Sequence, residues 1–66
     1  MTVVINGENS DIPDGLNVAA LVEHLGMRLD RVALERNRDI LPRSQWRETS
    51  VQPNDNFEIV HLVGGG

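Results

Sequence analysis

Apolar and polar positions near the N-terminus follow the pattern of a β-hairpin. Residues 2–5 are all β-branched, and Asn6-Gly7, a dipeptide typical of two-residue hairpin turns, follows them directly. Because both turn residues tolerate positive φ, the chain can reverse there at low cost. A second strand is therefore expected over residues 8–12.

A helical period replaces the strand pattern after a turn at residues 13–15. Asn17 is placed to cap the start of a helix, and Gly26 to end it. A helix of about eight residues is too short to be stable alone, so we expect it to pack against a sheet. Its apolar stripe, with the i, i+3, i+4, i+7 spacing, consists of Val18, Leu21, Val22 and Leu25.

The middle of the chain returns to the strand period. Val32 and Leu34 alternate with Ala33 and Glu35, which is typical of a half-buried strand. A turn is expected to begin at Asn37.

Three further elements follow this turn. A brief strand at residues 40–41 is expected to end at Pro42, and the next residues predict a turn or a single helical turn that buries Trp46 under the sheet. A turn over residues 52–55 precedes the last strand, which is expected over residues 57–63.

These elements predict an α+β protein with the β-grasp architecture, in which one main helix packs across one face of a mixed four- to five-stranded sheet. The first and last strands are the richest in β-branched residues, so we expect them side by side at the centre of the sheet. Residues 1–63 are predicted to form this single domain. Residues 64–66, all glycine, are predicted to form a flexible C-terminal tail.

The last strand predicts which residues face a partner. If Phe57 and Ile59 face the helix, Val60 and Leu62 face away from it. An apolar outer face beside the tail is typical of a docking surface. The alternative is that loops cover this face or that the strand is phased the other way. The predicted partner-binding residues are Val4, Ala33, Val60, Leu62 and Val63.

Composition narrows the classes of function. Sixty-six residues leave no room for a second core, and a net charge of −4 disfavours nucleic acid as a partner. The absence of cysteine excludes thiol catalysis and thiolate metal sites, and the two histidines lack the spacing of a ligand set, so no metal site is predicted. No run approaches the roughly 18 apolar residues of a membrane span, so a cytoplasmic protein is expected.

Several segments resemble the ThiS family of ubiquitin-like sulfur carriers, and together they cover nearly the whole chain. The most specific feature is a β-grasp pattern whose last strand runs directly into a terminal Gly-Gly. The turn before that strand departs from the family, since Asn54-Asp55 stands where relatives often have Gly-Asp, but asparagine also tolerates left-handed backbone angles. The segments are INGE (5–8), LNVAALVEHLG (16–26), VALERN (32–37), PRSQW (42–46) and EIVHLVGGG (58–66).

The resemblance implies a carrier and not an enzyme. It implies that a ThiF-like adenylating enzyme uses ATP to activate the Gly66 carboxylate, which is then converted to a thiocarboxylate. Gly64 and Gly65 would be the thin part of the tail that reaches into that enzyme. Two more partners are implied, a cysteine desulfurase as the sulfur source and a ThiG-like thiazole synthase of thiamin biosynthesis as the acceptor. The protein itself would bind no cofactor.

Other functions remain open on the sequence alone. A molybdopterin-type carrier like MoaD would share the fold and the terminal glycines. A non-covalent interaction module or a protein modifier would use the Val60 and Leu62 face without any sulfur chemistry. The glycines by themselves would also fit an ordinary frayed terminus.

Overall fold

A computed structural model describes residues 1–63 of the chain. They form five strands, one α-helix and two short 3-10 helices, the latter at Leu29–Arg31 and Arg43–Glu48. Within these residues, no helix has the length and apolarity to cross a bilayer. The main elements are β1 (Thr2–Ile5), β2 (Glu8–Asp11), α1 (Val18–His24), β3 (Val32–Arg36), β4 (Asp39–Ile40) and β5 (Asn56–His61).

The five strands form one mixed sheet in the order β2-β1-β5-β3-β4. Strands β1 and β5 are parallel, and every other neighbouring pair is antiparallel. The last strand is therefore at the centre of the sheet with the first strand beside it, as predicted. This is the β-grasp arrangement, and the predicted fold is confirmed.

Both hairpins turn through residues with positive φ. Asn6 and Gly7 have φ of 51° and 81°, and Asn37 and Arg38 have φ of 52° and 74°. Two consecutive positive φ values match the right-handed twist of the flanking strands, as in type I′ turns. The first turn places β2 against β1, and the second places β4 against β3.

Local capping fixes both ends of α1. The side-chain Oδ1 of Asn17 accepts a hydrogen bond from the Ala20 backbone N–H at 2.8 Å. At the other end Gly26 has φ of 78°, its N–H donates to the Glu23 carbonyl at 2.9 Å, and the Met27 N–H donates to the Val22 carbonyl at 3.2 Å. These two bonds form a Schellman motif. The predicted start and end of the helix are confirmed.

One apolar core joins α1 to the inner face of the sheet. Trp46 enters it from the second 3-10 helix, and its Nε1–H donates to the Leu41 carbonyl at 2.8 Å. The single indole is thus a core residue with its polar atom satisfied, as the sequence predicted. The buried apolar residues are Val3, Ile12, Val18, Ala19, Leu21, Val22, Val32, Leu34, Trp46, Val51, Phe57 and Ile59.

A buried carboxylate ties the start of β5 to the β3–β4 hairpin. Asp55 is 5% exposed and accepts hydrogen bonds from Arg36 Nε at 3.0 Å, Asn37 Nδ2 at 3.1 Å and the Gln52 backbone N–H at 2.8 Å. The preceding residue, Asn54, has φ of 68°, so it adopts the left-handed angle expected where relatives often carry glycine.

Replacing Asp55 by asparagine is expected to lower the free energy of unfolding by about 2–4 kcal/mol, because an amide NH₂ would face donors and leave the Arg36 charge without its partner. Asp39→Asn is the matched control, since among the described residues the exposed Asp39 side chain makes no hydrogen bond. Urea unfolding followed by circular dichroism measures both variants. Equal midpoints for the two variants would show that the Asp55 contacts do not stabilise the fold.

Candidate functional site

Strand β5 has one face buried in the core and one face exposed. Phe57 and Ile59 are buried in the core, whereas Glu58 and Val60 are exposed on the side of the sheet away from α1. Val60 is 58% exposed, which is high for a valine at the centre of a sheet. The predicted phase of the last strand is confirmed, so an apolar outer face exists.

The outer-face patch, defined as Ala33, Val60 and Leu62, lies where β5 ends. Ala33 is directly opposite Val60 in the antiparallel β3–β5 pair. Leu62 is 50% exposed, and its N–H donates to the Arg31 carbonyl at 2.9 Å, so pairing continues one residue beyond the strand. Val63, the last described residue, is 94% exposed. The chain therefore leaves the sheet beside an apolar surface that no other residue among 1–63 covers.

The register of the sheet excludes Val4 from this patch. Val4 is half-buried on the outer face, but it is opposite Asn56 at the beginning of β5. Val60 is four residues further along that strand, or about 13 Å at the usual rise, with Glu58 between them on the same face. The expectation that Val4 forms one continuous patch with Val60 is wrong, because β1 pairs only with the first part of β5.

A shallow groove continues the patch toward β4, with a volume of ≈ 220 Å³. Ile40, on the short edge strand β4, is 78% exposed and is opposite Glu35. The sequence predicts that Ile40 lies in a brief strand but indicates no role for its side chain. The alternation of side chains along a strand could have indicated that Ile40 is exposed. Ile40 and Leu41 point to opposite faces, so only one of them can join the core. The groove is lined by Ala33, Leu34, Glu35, Ile40, Glu58 and Val60.

Asn6 holds β5 in place beyond the end of β1. Its backbone N–H donates to the Phe57 carbonyl at 2.9 Å. Its side chain then bonds to both backbone groups of Ile59, donating from Nδ2 to the carbonyl at 3.2 Å and accepting at Oδ1 from the N–H at 2.7 Å. The side chain thus continues the ladder where the backbone turns away. The sequence predicts only a turn role for Asn6. The Asn6-Gly7 hairpin motif is a sufficient reason for an asparagine there, so nothing in the sequence indicates the contact with Ile59.

Charged groups also flank the end of β5. Arg28 donates to Asp30 through Nε at 3.2 Å and Nη2 at 3.1 Å, just before the first 3-10 helix leads into β3. Partial removal from water raises the pKa of Asp30, but the hydrogen bonds and charge of Arg28 more than offset this effect and keep the pKa below its ordinary value. The carboxylate is ionised at neutral pH, and this exposed pair adds little stability.

The histidines do not form a metal site with other side chains in the described part of the chain. His24 is exposed in the last turn of α1, and His61 is exposed at the end of β5. Residues 1–63 contain no group of three or more histidine, cysteine, aspartate or glutamate side chains placed to bind a metal. The predicted tail residues Gly64, Gly65 and Gly66 lie outside the described residues.

The β-grasp arrangement, with the last strand at the centre of the sheet, is the fold of a ubiquitin-like domain. The last strand ends beside an exposed apolar patch. Residues 3–66 match the ThiS family. The chain therefore belongs to the ThiS family, and the resemblance drawn from the sequence is confirmed.

Two ThiS proteins are similar to this chain over its full length. The sulfur carrier protein ThiS of Escherichia coli is 32% identical over 66 residues, which are 100% of both chains. The crystal structure of a thiamine biosynthesis protein (ThiS) from Geobacter metallireducens superimposes with a TM-score of 0.85 at 30% identity, and each chain covers 100% of the other.

A second kind of relative is much longer. A thiazole synthase of Paramagnetospirillum magneticum is 41% identical over 66 residues, which are 100% of this chain but 20% of that protein. The chain likewise spans 20% of the length of a thiazole synthase of Magnetococcus marinus, at 33% identity. A segment similar to this chain therefore occurs within proteins named for thiazole synthesis.

Proposed function

We propose that this protein is a sulfur carrier that delivers sulfur, as a thiocarboxylate on Gly66, to the synthesis of the thiazole of thiamin. The observation that carries the proposal is the family match over residues 3–66, which includes the three glycines. The end-to-end alignment with the Escherichia coli sulfur carrier supports the same assignment. Because activation consumes ATP, the proposed reaction belongs in the cytoplasm.

The proposed chemistry has two steps on one carbonyl carbon. A carboxylate oxygen of Gly66 attacks the α-phosphorus of ATP, and pyrophosphate leaves, so that the poor electrophile becomes an acyl adenylate. A sulfide nucleophile then attacks the acyl carbon, the carbon–oxygen bond to AMP breaks, and a thiocarboxylate, AMP and one proton result. If a desulfurase persulfide is the nucleophile, a thiol reductant must cleave the acyl disulfide that forms. In this proposal the carrier binds no cofactor and ATP belongs to its partner.

Glycine suits the proposed tail because of what it lacks. Without a Cβ, Gly64 and Gly65 would adopt many backbone angles and allow close approach of protein walls on both sides. The carboxylate of Gly66 could then enter a narrow channel while the folded body binds outside. The absence of cysteine fits the same proposal, since no side-chain thiol competes to hold the sulfur.

Three partners follow from the proposed chemistry. A ThiF-like adenylating enzyme would use ATP, a cysteine desulfurase would supply sulfur, and a ThiG-like thiazole synthase would accept it. The two thiazole synthases with a segment similar to this chain support the last of these, because they join a ThiS-like segment to a protein named for thiazole synthesis. We propose the outer-face patch and Val63 as the surface that binds these partners.

Intact-mass measurement tests the proposed chemistry. The protein is incubated with a ThiF-like adenylating enzyme, ATP and sulfide, and the expected result is the mass change of one oxygen atom exchanged for one sulfur atom. A reaction without ATP is the control. If the complete mixture leaves the mass unchanged while the protein still binds the enzyme, the chain is a non-covalent binding module instead.

A second assay identifies the pathway. The loaded protein is added to reconstituted thiazole and molybdopterin syntheses, and thiazole formation alone is expected. Formation of molybdopterin alone would assign the protein to the MoaD-like carriers.

Val60→Asp is expected to weaken binding to the adenylating enzyme about tenfold or more, because a charge would be buried in an apolar contact. Val60 is largely exposed, so the variant is expected to fold normally. Asn9→Asp is the matched control. Asn9 is exposed on β2 opposite Val4, so this substitution adds the same charge away from the patch. Calorimetric titration measures both, and equal affinities would remove the patch from the interface.

A further inference from the structure

Two glutamates occupy an unfavourable position on the outer face of the sheet. Glu35 and Glu58 are directly opposite each other in the antiparallel β3–β5 pair, and both are exposed. Directly opposed residues have Cβ atoms about 5 Å apart, and like charges in this arrangement destabilise a sheet. A glutamine at either position would have nearly the same shape without this repulsion.

Neither carboxylate finds a counterion within residues 1–63. The ion pairs of the described residues join the N-terminus to Asp14, Arg28 to Asp30, and Arg36 to Asp55. Arg36, the arginine adjacent to Glu35 in sequence, is committed to the buried Asp55 on the other side of the sheet. The repulsion between the two glutamates is therefore not relieved inside the fold.

The acidic pair forms one side of the apolar groove. Both glutamates line it together with Ile40 and Val60, and the groove is continuous with the outer-face patch through Ala33. Apolar surface is enough to attract a partner, but it selects poorly among partners. Two carboxylates beside the same groove add a requirement for positive charge.

We propose that Glu35 and Glu58 together bind an arginine side chain of the adenylating enzyme, with an apolar neighbour of that arginine filling the groove beside Ile40 and Val60. The identity of the partner rests on the proposed function. A planar guanidinium has donors on separate edges and can bond two carboxylates at once, which the point charge of lysine does less well. A guanidinium beside both carboxylates would offset the repulsion that the free carrier retains, because it is attracted by two negative charges instead of one.

The test compares the double variant Glu35→Gln/Glu58→Gln with Glu8→Gln/Glu48→Gln, which removes the same charge from exposed positions elsewhere. Pyrophosphate exchange by a ThiF-like enzyme is measured at low and high salt. The KM for the carrier is expected to rise about tenfold in the first variant with kcat unchanged, and its salt dependence to weaken. The control variant is expected to change KM much less.

Thermal unfolding separates recognition from folding. Removal of opposed like charges is expected to raise the unfolding midpoint of the Glu35→Gln/Glu58→Gln variant even as its KM rises. An equal KM in the two double variants would overturn the proposal, and so would a lowered midpoint together with a raised KM, because the glutamates would then act through the fold.

The test also distinguishes this proposal from the proposed function. If the wild-type carrier is not adenylated at all, the sulfur-carrier proposal fails in that assay. Calorimetric titration with the same enzyme in the absence of ATP then tests whether Glu35 and Glu58 contribute to binding. A selective loss of affinity in the Glu35→Gln/Glu58→Gln variant supports the arginine site. Equal affinity of both variants, or no binding by wild type, overturns it.

Discussion

Deleting Gly66 is expected to slow sulfur loading by about 100-fold or more, because small misplacements of a reacting group have effects of that size. The deletion leaves Gly65 with a carboxylate of the same chemistry, but its reach is shorter by about 3.5 Å, the span of one extended residue. In the proposed reaction the α-phosphate of ATP would lie at a fixed depth in the adenylating enzyme, so the shortened tail would not bring its oxygen to the phosphorus. Intact-mass measurement over time gives the rate.

Two comparisons make the deletion interpretable. Gly66→Ala keeps the length and the carboxylate but adds a Cβ, so it tests the width of the channel instead of its depth. The unfolding midpoint of the deletion variant is expected to match wild type, since the described core lies between Val3 and Ile59. A shortened protein that acquires sulfur at the wild-type rate would refute the assignment of Gly66 as the carrying residue.

Short-range signals account for the parts of the fold that the sequence predicted correctly. The Asn6-Gly7 turn, the Asn17 cap and the Gly26 helix end each depend on residues within one turn of the chain, and the structure confirms all of them. The two faces of β5 follow equally from local alternation, because side chains in a strand point to opposite sides in turn.

Register between distant strands could not be predicted in the same way. The sequence suggested that β1 and β5 are neighbours, but nothing in it specified that Val4 is opposite Asn56 and not Val60. A parallel pair is joined by a long crossover, so no turn geometry fixes its register. The error in the predicted patch is a direct consequence.

The long-range polar contacts of the structure also could not be predicted from local sequence patterns. The Asn6 side chain bonds to a residue 53 positions away, and Asp55 bonds to Arg36 across 19 positions. Asparagine and aspartate in turns have sufficient local explanations, so the sequence gives no reason to look for distant partners. The opposed pair of Glu35 and Glu58 was hidden for the same reason, since each glutamate alone is an ordinary exposed strand residue.

Trp46→Ala is expected to cost about 3–5 kcal/mol, the usual range for removing a buried aromatic side chain. A chain of this size has about 3–10 kcal/mol of stability in total by per-residue scaling, so the substitution is expected to remove about a third of that stability or more and to lower the unfolding midpoint markedly. Trp46 is 1% exposed and connects the second 3-10 helix to α1 and the core. Because it is the only tryptophan, far-ultraviolet circular dichroism must replace intrinsic fluorescence in the measurement.

Trp46→Phe separates the two contributions of this side chain. It keeps most of the apolar volume but removes the Nε1–H bond to the Leu41 carbonyl, so a loss of about 1–3 kcal/mol is expected. A similar midpoint for wild type and the alanine variant would contradict the central place of Trp46 in the core. If the alanine variant is refolded by low temperature or a stabilising osmolyte, its sulfur loading should recover, because Trp46 lies inside the core and not on the surface proposed to bind partners.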